Sequence, residues 1–150
     1  MSLDWVADAM KKTVPWVTTA CVEFLEVTPT QVTCSLPDPE PHRNHVGGPH
    51  AAVIFGLAET ASGALALAAF SAEMARATPL VVRSEIHYRK LALGPLTATA
   101  VLTRPATEVT AELDAGTRPE FTVDCTIHNA EGTLTTEMAV TWTLKPHKPQ

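Results

Sequence analysis

Apolar residues recur at Leu3, Val6, Met10 and Val14, a helical spacing that Pro15 interrupts, so residues 3–13 read as a short amphipathic helix. Residues 17–27 and 31–36 are rich in Val, Thr, Phe and Cys and read as a hairpin broken at Thr28-Pro29-Thr30. A polar, Pro- and Gly-rich loop over residues 37–48 follows. From residue 49 to about 72 the pattern changes: almost every position is Ala, Val, Ile, Leu, Phe, Gly, Ser or Thr. A helix that is apolar all round has to be wrapped by other structure. Residues 80–90 then place Arg83, Glu85, His87 and Arg89 on one face of a strand, and residues 96–102 alternate again. Thr107–Ala115 reads as a short helix closed by Gly116. Phe121, Val123, Cys125 and Ile127 alternate with polar residues, a turn falls at 129–132, and the alternation resumes from Leu134 to Leu144 as a second hairpin. The polar tail, residues 145–150, is expected to fray. The sum is one α+β domain over residues 1–150, a curved antiparallel sheet around one long central helix.

Composition narrows the function classes. At 150 residues the chain suits a single domain with a real core, and a net charge of −5 without a basic run argues against nucleic acid as a partner. Cys21, Cys34 and Cys125 are odd in number and form no Cys-x-x-Cys pair, which fits a reducing, cytoplasmic setting. The N-terminus has neither the basic region nor the apolar stretch of a secretory signal. Residues 51–72 are long enough to cross a bilayer, but they are Ala-rich with Glu59 near the middle, so no membrane span is expected. His42, His45 and His50 with Asp38 and Glu40 match no standard zinc spacing, and neither metal nor cofactor is expected.

Candidate chemistry concentrates where the loop meets the long helix. Glu59 is the one charged side chain between His50 and Glu73. A carboxylate in such a helix is costly to bury unless it is protonated, paired or hydrogen-bonded. Pro49 suits a first helical position and Gly48 would then be the N-cap, with no side chain to occupy the free backbone N–H groups of His50, Ala51 and Ala52. Those donors at the positive end of a helix suit an oxygen that carries negative charge. A donor cluster and a carboxylate on one helix suit acyl chemistry; the alternative is a simple chain turn and a core acid bonded to a neighbouring strand.

Asn44, Gly47, His50 and Leu57-Ala58-Glu59 stand at the spacings of a motif in acyl-CoA thioesterases of the phenylacetyl-CoA and 4-hydroxybenzoyl-CoA type, and Ile86-His87-Tyr88-Arg89-Lys90 is similar to their strand after the helix. The chain thus resembles the hotdog superfamily over nearly its whole length. Two positions depart from the pattern: Ala51-Ala52 replaces Gly-Gly, and Glu59 replaces Asp. The resemblance implies a hotdog fold, association into dimers or tetramers that complete the site, and hydrolysis of an acyl-CoA or acyl-carrier thioester. In that reading Glu59 is the base or nucleophile, Asn44 positions it, and the N–H groups of Ala51 and His50 hold the thioester oxygen. Gly47 and Gly48 line the substrate, while Arg83, Arg89 and Lys90 face the phosphates of coenzyme A. The superfamily's hydratases and dehydratases pair a loop His with a helix Glu fourteen residues later, as His45 and Glu59 are spaced, which is a rival reading. A non-catalytic acyl-binding or scaffold protein is a third.

Overall fold

The computed structural model describes residues 2–149. Helix α1 (Asp4–Thr13) buries Val6 and Met10, and Pro15 starts a second short helix, α2 (Pro15–Thr19). The sequence reading extended the first strand back to residue 17. Val17 is instead the buried residue of α2, because a proline at the start of a segment sets a helical φ. Strands β1 (Glu23–Val27) and β2 (Gln31–Leu36) form the first hairpin. The loop that follows contains a single 3-10 turn, Glu40–His42. Helix α3 (Ala51–Ala69) is the central helix, starting two residues later than expected and giving way to a 3-10 turn at Ser71–Glu73. Strands β3 (Ala77–Tyr88) and β4 (Leu96–Leu102), helix α4 (Ala106–Asp114), and strands β5 (Glu120–Asn129) and β6 (Leu134–Pro146) complete the order. Gly116, at φ +84°, ends α4 in the left-handed conformation that glycine adopts without strain.

All six strands form one antiparallel sheet in the order β1-β2-β4-β5-β6-β3, the hotdog arrangement that the resemblance implies. The alternation of each strand decides which side chains face the helix. Val32 and Cys34, Ala98 and Ala100, Cys125 and Ile127, and Met138 and Val140 point inward and are buried. β4 offers alanines at the middle of the sheet, and α3 answers with Ala58, Ala61 and Ala64, all fully buried. Small side chains on both surfaces let helix and sheet approach closely, which explains why this helix is built from Ala rather than Leu. Leu57 and Leu65 fill the remaining space, each worth about 2 kcal/mol of burial. α3 is long and apolar enough to cross a membrane, yet more than half of its most apolar stretch is taken up inside the fold.

The tail does not fray where expected. Lys145 and Pro146 pair with Thr78 and Ala77 as the end of β6, and the His147 N–H donates to the Arg76 carbonyl at 2.8 Å. At the other border, β3 has β6 on one side and, among the described residues, no strand on the other. Leu80, Val81 and Val82 on that strand are 40%, 42% and 43% exposed, and a bulge interrupts the pairing between Val81 and Arg83. A long apolar edge of this kind is a template for another strand.

Candidate functional site

The turn before α3 is held by its own backbone and by Asn44. The Asn44 N–H donates to the Gly48 carbonyl at 2.8 Å and Gly47 N–H to the Asn44 carbonyl at 3.1 Å. Asn44 Oδ1 accepts from the Val46 N–H at 3.0 Å, and Nδ2 donates to the Pro49 carbonyl at 3.4 Å. Gly47 has φ +79°, a conformation that favours glycine in this turn. Gly48 is required for a different reason: a Cβ there would lie 2.3 Å from the Ala92 carbonyl oxygen. The loop after β3 therefore sits directly on the loop before α3.

Helix entry corrects the expected cap. His50, not Gly48, is the N-cap, and its ring Nδ1 accepts from the Ala52 N–H at 2.9 Å. The His50 N–H donates to the His42 carbonyl at 2.7 Å, so it is not available to a ligand. Of the three donors expected at the helix start, the Ala51 N–H is left with no acceptor among the described residues. Ala51 lines a cleft of about 330 Å³ together with Asn44, Pro49, Ile54, Tyr88 and the 89–92 segment. Tyr88, the one tyrosine of the chain, donates its hydroxyl to the Ala51 carbonyl at 3.1 Å, and burial pushes that phenol above its ordinary range.

Glu59 lies eight residues after Ala51, about 12 Å further along the axis, and does not line this cleft. It is half-buried, as are Phe55, Gly56 and Gly63 on the neighbouring turns, and its charge is felt by the buried Cys125 of β5. Among the described residues its carboxylate makes no hydrogen bond or ion pair; the polar contact of Glu59 is its main-chain carbonyl, which accepts from Ser62 Oγ at 2.7 Å. Burial without a partner pushes the carboxyl above the ordinary carboxylate range. A structural core acid would be bonded to backbone or hydroxyl groups. Ser62 Oγ in turn accepts from Trp142 Nε1 at 3.0 Å, tying this turn of helix to β6.

The other candidates divide. His45 is exposed on the turn and is not part of the cleft. Arg83 pairs with Glu120 at 3.3 Å on the outer sheet face, away from Ala51. Arg89 pairs with Glu137 at 2.9 Å but also lines the cleft, as does Lys90, which has no ion pair among the described residues. Cys34 and Cys125 are buried, and desolvation pushes both thiols up to about 12, so they stay protonated. Among the described residues no three His, Cys, Asp or Glu side chains cluster as metal ligands would. Tyr88 and Trp16, the latter seated against Gly56, were not singled out from the sequence. A lone tyrosine was the available signal for the first, but the Trp16–Gly56 pairing has no signature in the chain.

Comparison with known proteins bears on this geometry. The family profile described as a domain of unknown function, DUF4442, matches residues 4–144. Comparison with curated proteins finds no match. Among solved structures, the Pseudomonas aeruginosa protein PA5026, described as of unknown function and a probable thioesterase, superposes with a TM-score of 0.86 at 22% identity, covering 98% of this chain and 97% of that one. A thioesterase family protein from Silicibacter pomeroyi gives 0.77 at 17% identity, covering 95% and 96%. A mutant form of the thioesterase PA1618 from Pseudomonas aeruginosa gives 0.76 at 16% identity, covering 98% and 96%. At these identities the likeness is one of fold.

Proposed function

Since this chain belongs to the DUF4442 family and carries the hotdog fold, we propose that it hydrolyses an acyl-CoA or acyl-carrier thioester at a site shared between two copies of the chain. The observation that carries this reading is Glu59: a half-buried carboxyl in the middle of an apolar helix, with no hydrogen-bond or ion-pair partner among the described residues. The Ala51 N–H at the helix start is the matching donor. Within one chain the two stand about 12 Å apart along the axis, and the cleft at Ala51 does not reach Glu59. In this reading a second copy pairs at the free β3 edge about a two-fold axis, and the Glu59 of one copy serves the Ala51 N–H of the other.

Chemistry at such a site follows directly. The Ala51 N–H and the positive end of α3 stabilise the oxyanion that develops on the thioester carbonyl. The Glu59 carboxylate takes a proton from water as the water oxygen attacks the carbonyl carbon. The C–S bond then breaks, Glu59 returns the proton to the leaving sulfur, and a free thiol and a carboxylic acid result. Lys90 and the apolar Leu91 on the cleft rim suit a phosphate-bearing carrier with an apolar arm. Asn44 shapes the turn that presents the donor. The protonated, buried thiols fit a reducing, cytoplasmic setting.

Two variants test both parts. Ala51→Pro removes the donor at the first helical position, where proline is tolerated and where His50 already has the extended backbone that precedes proline. Glu59→Gln removes the base and keeps the shape. Each variant alone is expected to lose thiol release by a factor on the order of 10² or more. After the two inactive proteins are mixed and allowed to exchange subunits, about a quarter of wild-type activity returns, since half the dimers are mixed and each has one intact shared site. Two inactive variants that stay inactive as a proven mixed dimer place donor and base on one chain instead. Full activity in Glu59→Gln ends the hydrolytic assignment.

A further inference from the structure

Glu59 is bracketed along α3 by two glycines, and an indole lies on each. A Cβ at Gly56 would stand 2.5, 2.8 and 3.0 Å from three atoms of the Trp16 six-membered ring, so that ring occupies the place a side chain would have. A Cβ at Gly63 would stand 3.3 and 3.4 Å from two atoms of the Trp142 ring. Residues three and four apart on a helix are surface neighbours at about 5–6 Å, which puts one indole beside Glu59 towards the helix start and the other towards its end. The two walls differ in kind. Trp142 is 8% exposed and its Nε1 is held by Ser62 at 3.0 Å. Trp16 is partly exposed, belongs to a five-residue helix at the surface, and its indole N–H has no partner among the described residues.

We propose that Trp16 is the specificity wall of the Glu59 niche, which accepts an apolar, uncharged acyl group whose width next to the reacting carbon Trp16 limits. This rests on the hydrolase reading for the reaction but on the Trp16–Gly56 contact for the selectivity. Charge supports the choice of class. From Asn44 to Ala75 the chain has no Lys or Arg, so an acyl group ending in a carboxylate would bring a second negative charge beside Glu59 with no cation of this segment to meet it. An alkyl or aryl group finds aromatic faces and Phe55 instead.

The test uses the wild type, Trp16→Phe and Trp16→Ala on acetyl-, butyryl-, octanoyl-, isobutyryl-, benzoyl- and succinyl-CoA, read by thiol release. Calorimetric binding of the corresponding non-hydrolysable S-alkyl-CoA thioethers runs in parallel. Trp16→Ala is expected to raise kcat/KM for the branched and aryl esters relative to butyryl-CoA by on the order of tenfold or more, with the thioether affinities moving the same way. Trp16→Phe, which keeps a shorter aromatic wall, should move part of the way, and it decides the matter if the alanine variant does not fold. Succinyl-CoA should be the poorest substrate throughout. A folded variant with the wild-type width profile in both rates and binding overturns the proposal, as does succinyl-CoA turned over as well as butyryl-CoA. If thioether binding follows Trp16 while no thioester is hydrolysed, the selectivity wall stands and the hydrolase reading falls.

Discussion

Glu59 has two properties that pull in opposite directions: its environment favours the neutral acid, and its proposed task needs the anion. Because burial raises its pKa in the folded state, the fold binds that proton more tightly than the unfolded chain does. The linkage then has a definite sign. The contribution to stability is fully present below the ordinary glutamate pKa and is lost as pH rises through the folded value. Glu59→Gln should therefore melt higher than wild type at pH 8, with the advantage shrinking towards pH 4, as calorimetric scans across that range would register. Activity should run the other way, with an acid limb whose midpoint lies above that of an ordinary glutamate in a kcat profile. Asn44 and His45 are neighbours with unequal duties. Asn44→Ala removes the bonds to the Val46 N–H and the Pro49 carbonyl, which should cost about 1–2 kcal/mol in a denaturant titration and lower activity with it. His45→Ala, at an exposed turn position, should leave both within about twofold and 0.5 kcal/mol.

Packing of the central helix makes an ordered prediction for its glycines. An alanine at Gly48 would drive its Cβ to 2.3 Å from a backbone oxygen that cannot swing away, and a loss of about 1–3 kcal/mol is expected. At Gly56 the obstacle is the ring of Trp16, a partly exposed side chain that can shift, so the loss should be smaller. At Gly63 the 3.3 Å approach asks the Trp142 ring to give by only a few tenths of an ångström, and alanine's helix preference of about 1 kcal/mol offsets that cost. Losses in thermal stability for Gly48→Ala, Gly56→Ala and Gly63→Ala should rank in that order, and a Gly56→Ala loss larger than that of Gly48→Ala would show that the Trp16 ring cannot shift.

Over the whole molecule, the proposed shared site needs a second copy, and the edge of β3 is where we place it. Leu80, Val81 and Val82 leave an apolar stretch on a strand with one free side. A charge there should oppose strand addition. Val82→Lys is expected to shift the protein towards monomer in light scattering and to lower thioester hydrolysis in proportion, with Glu59 and Ala51 untouched. A variant that is monomeric and fully active would separate the site from the assembly.

Much of the architecture was legible because it is periodic. Alternation at Phe121–Ile127 and Leu134–Leu144 marked the long hairpin, and an unbroken apolar run marked the helix that the sheet must cover. Local chemistry was less decisive at the borders: Pro15 started α2 where the Val- and Thr-rich composition suggested a strand, and His50 rather than Gly48 capped α3 because its ring reaches the Ala52 N–H. Tertiary structure alone decided which donor stays free, since the N–H of His50 is taken by a carbonyl eight residues earlier. It also decided what stands beside Glu59. The carboxylate was visible as the one charge in an apolar helix, whereas the indoles over Gly56 and Gly63 come from residues 16 and 142, brought there by chain folding that no local pattern encodes.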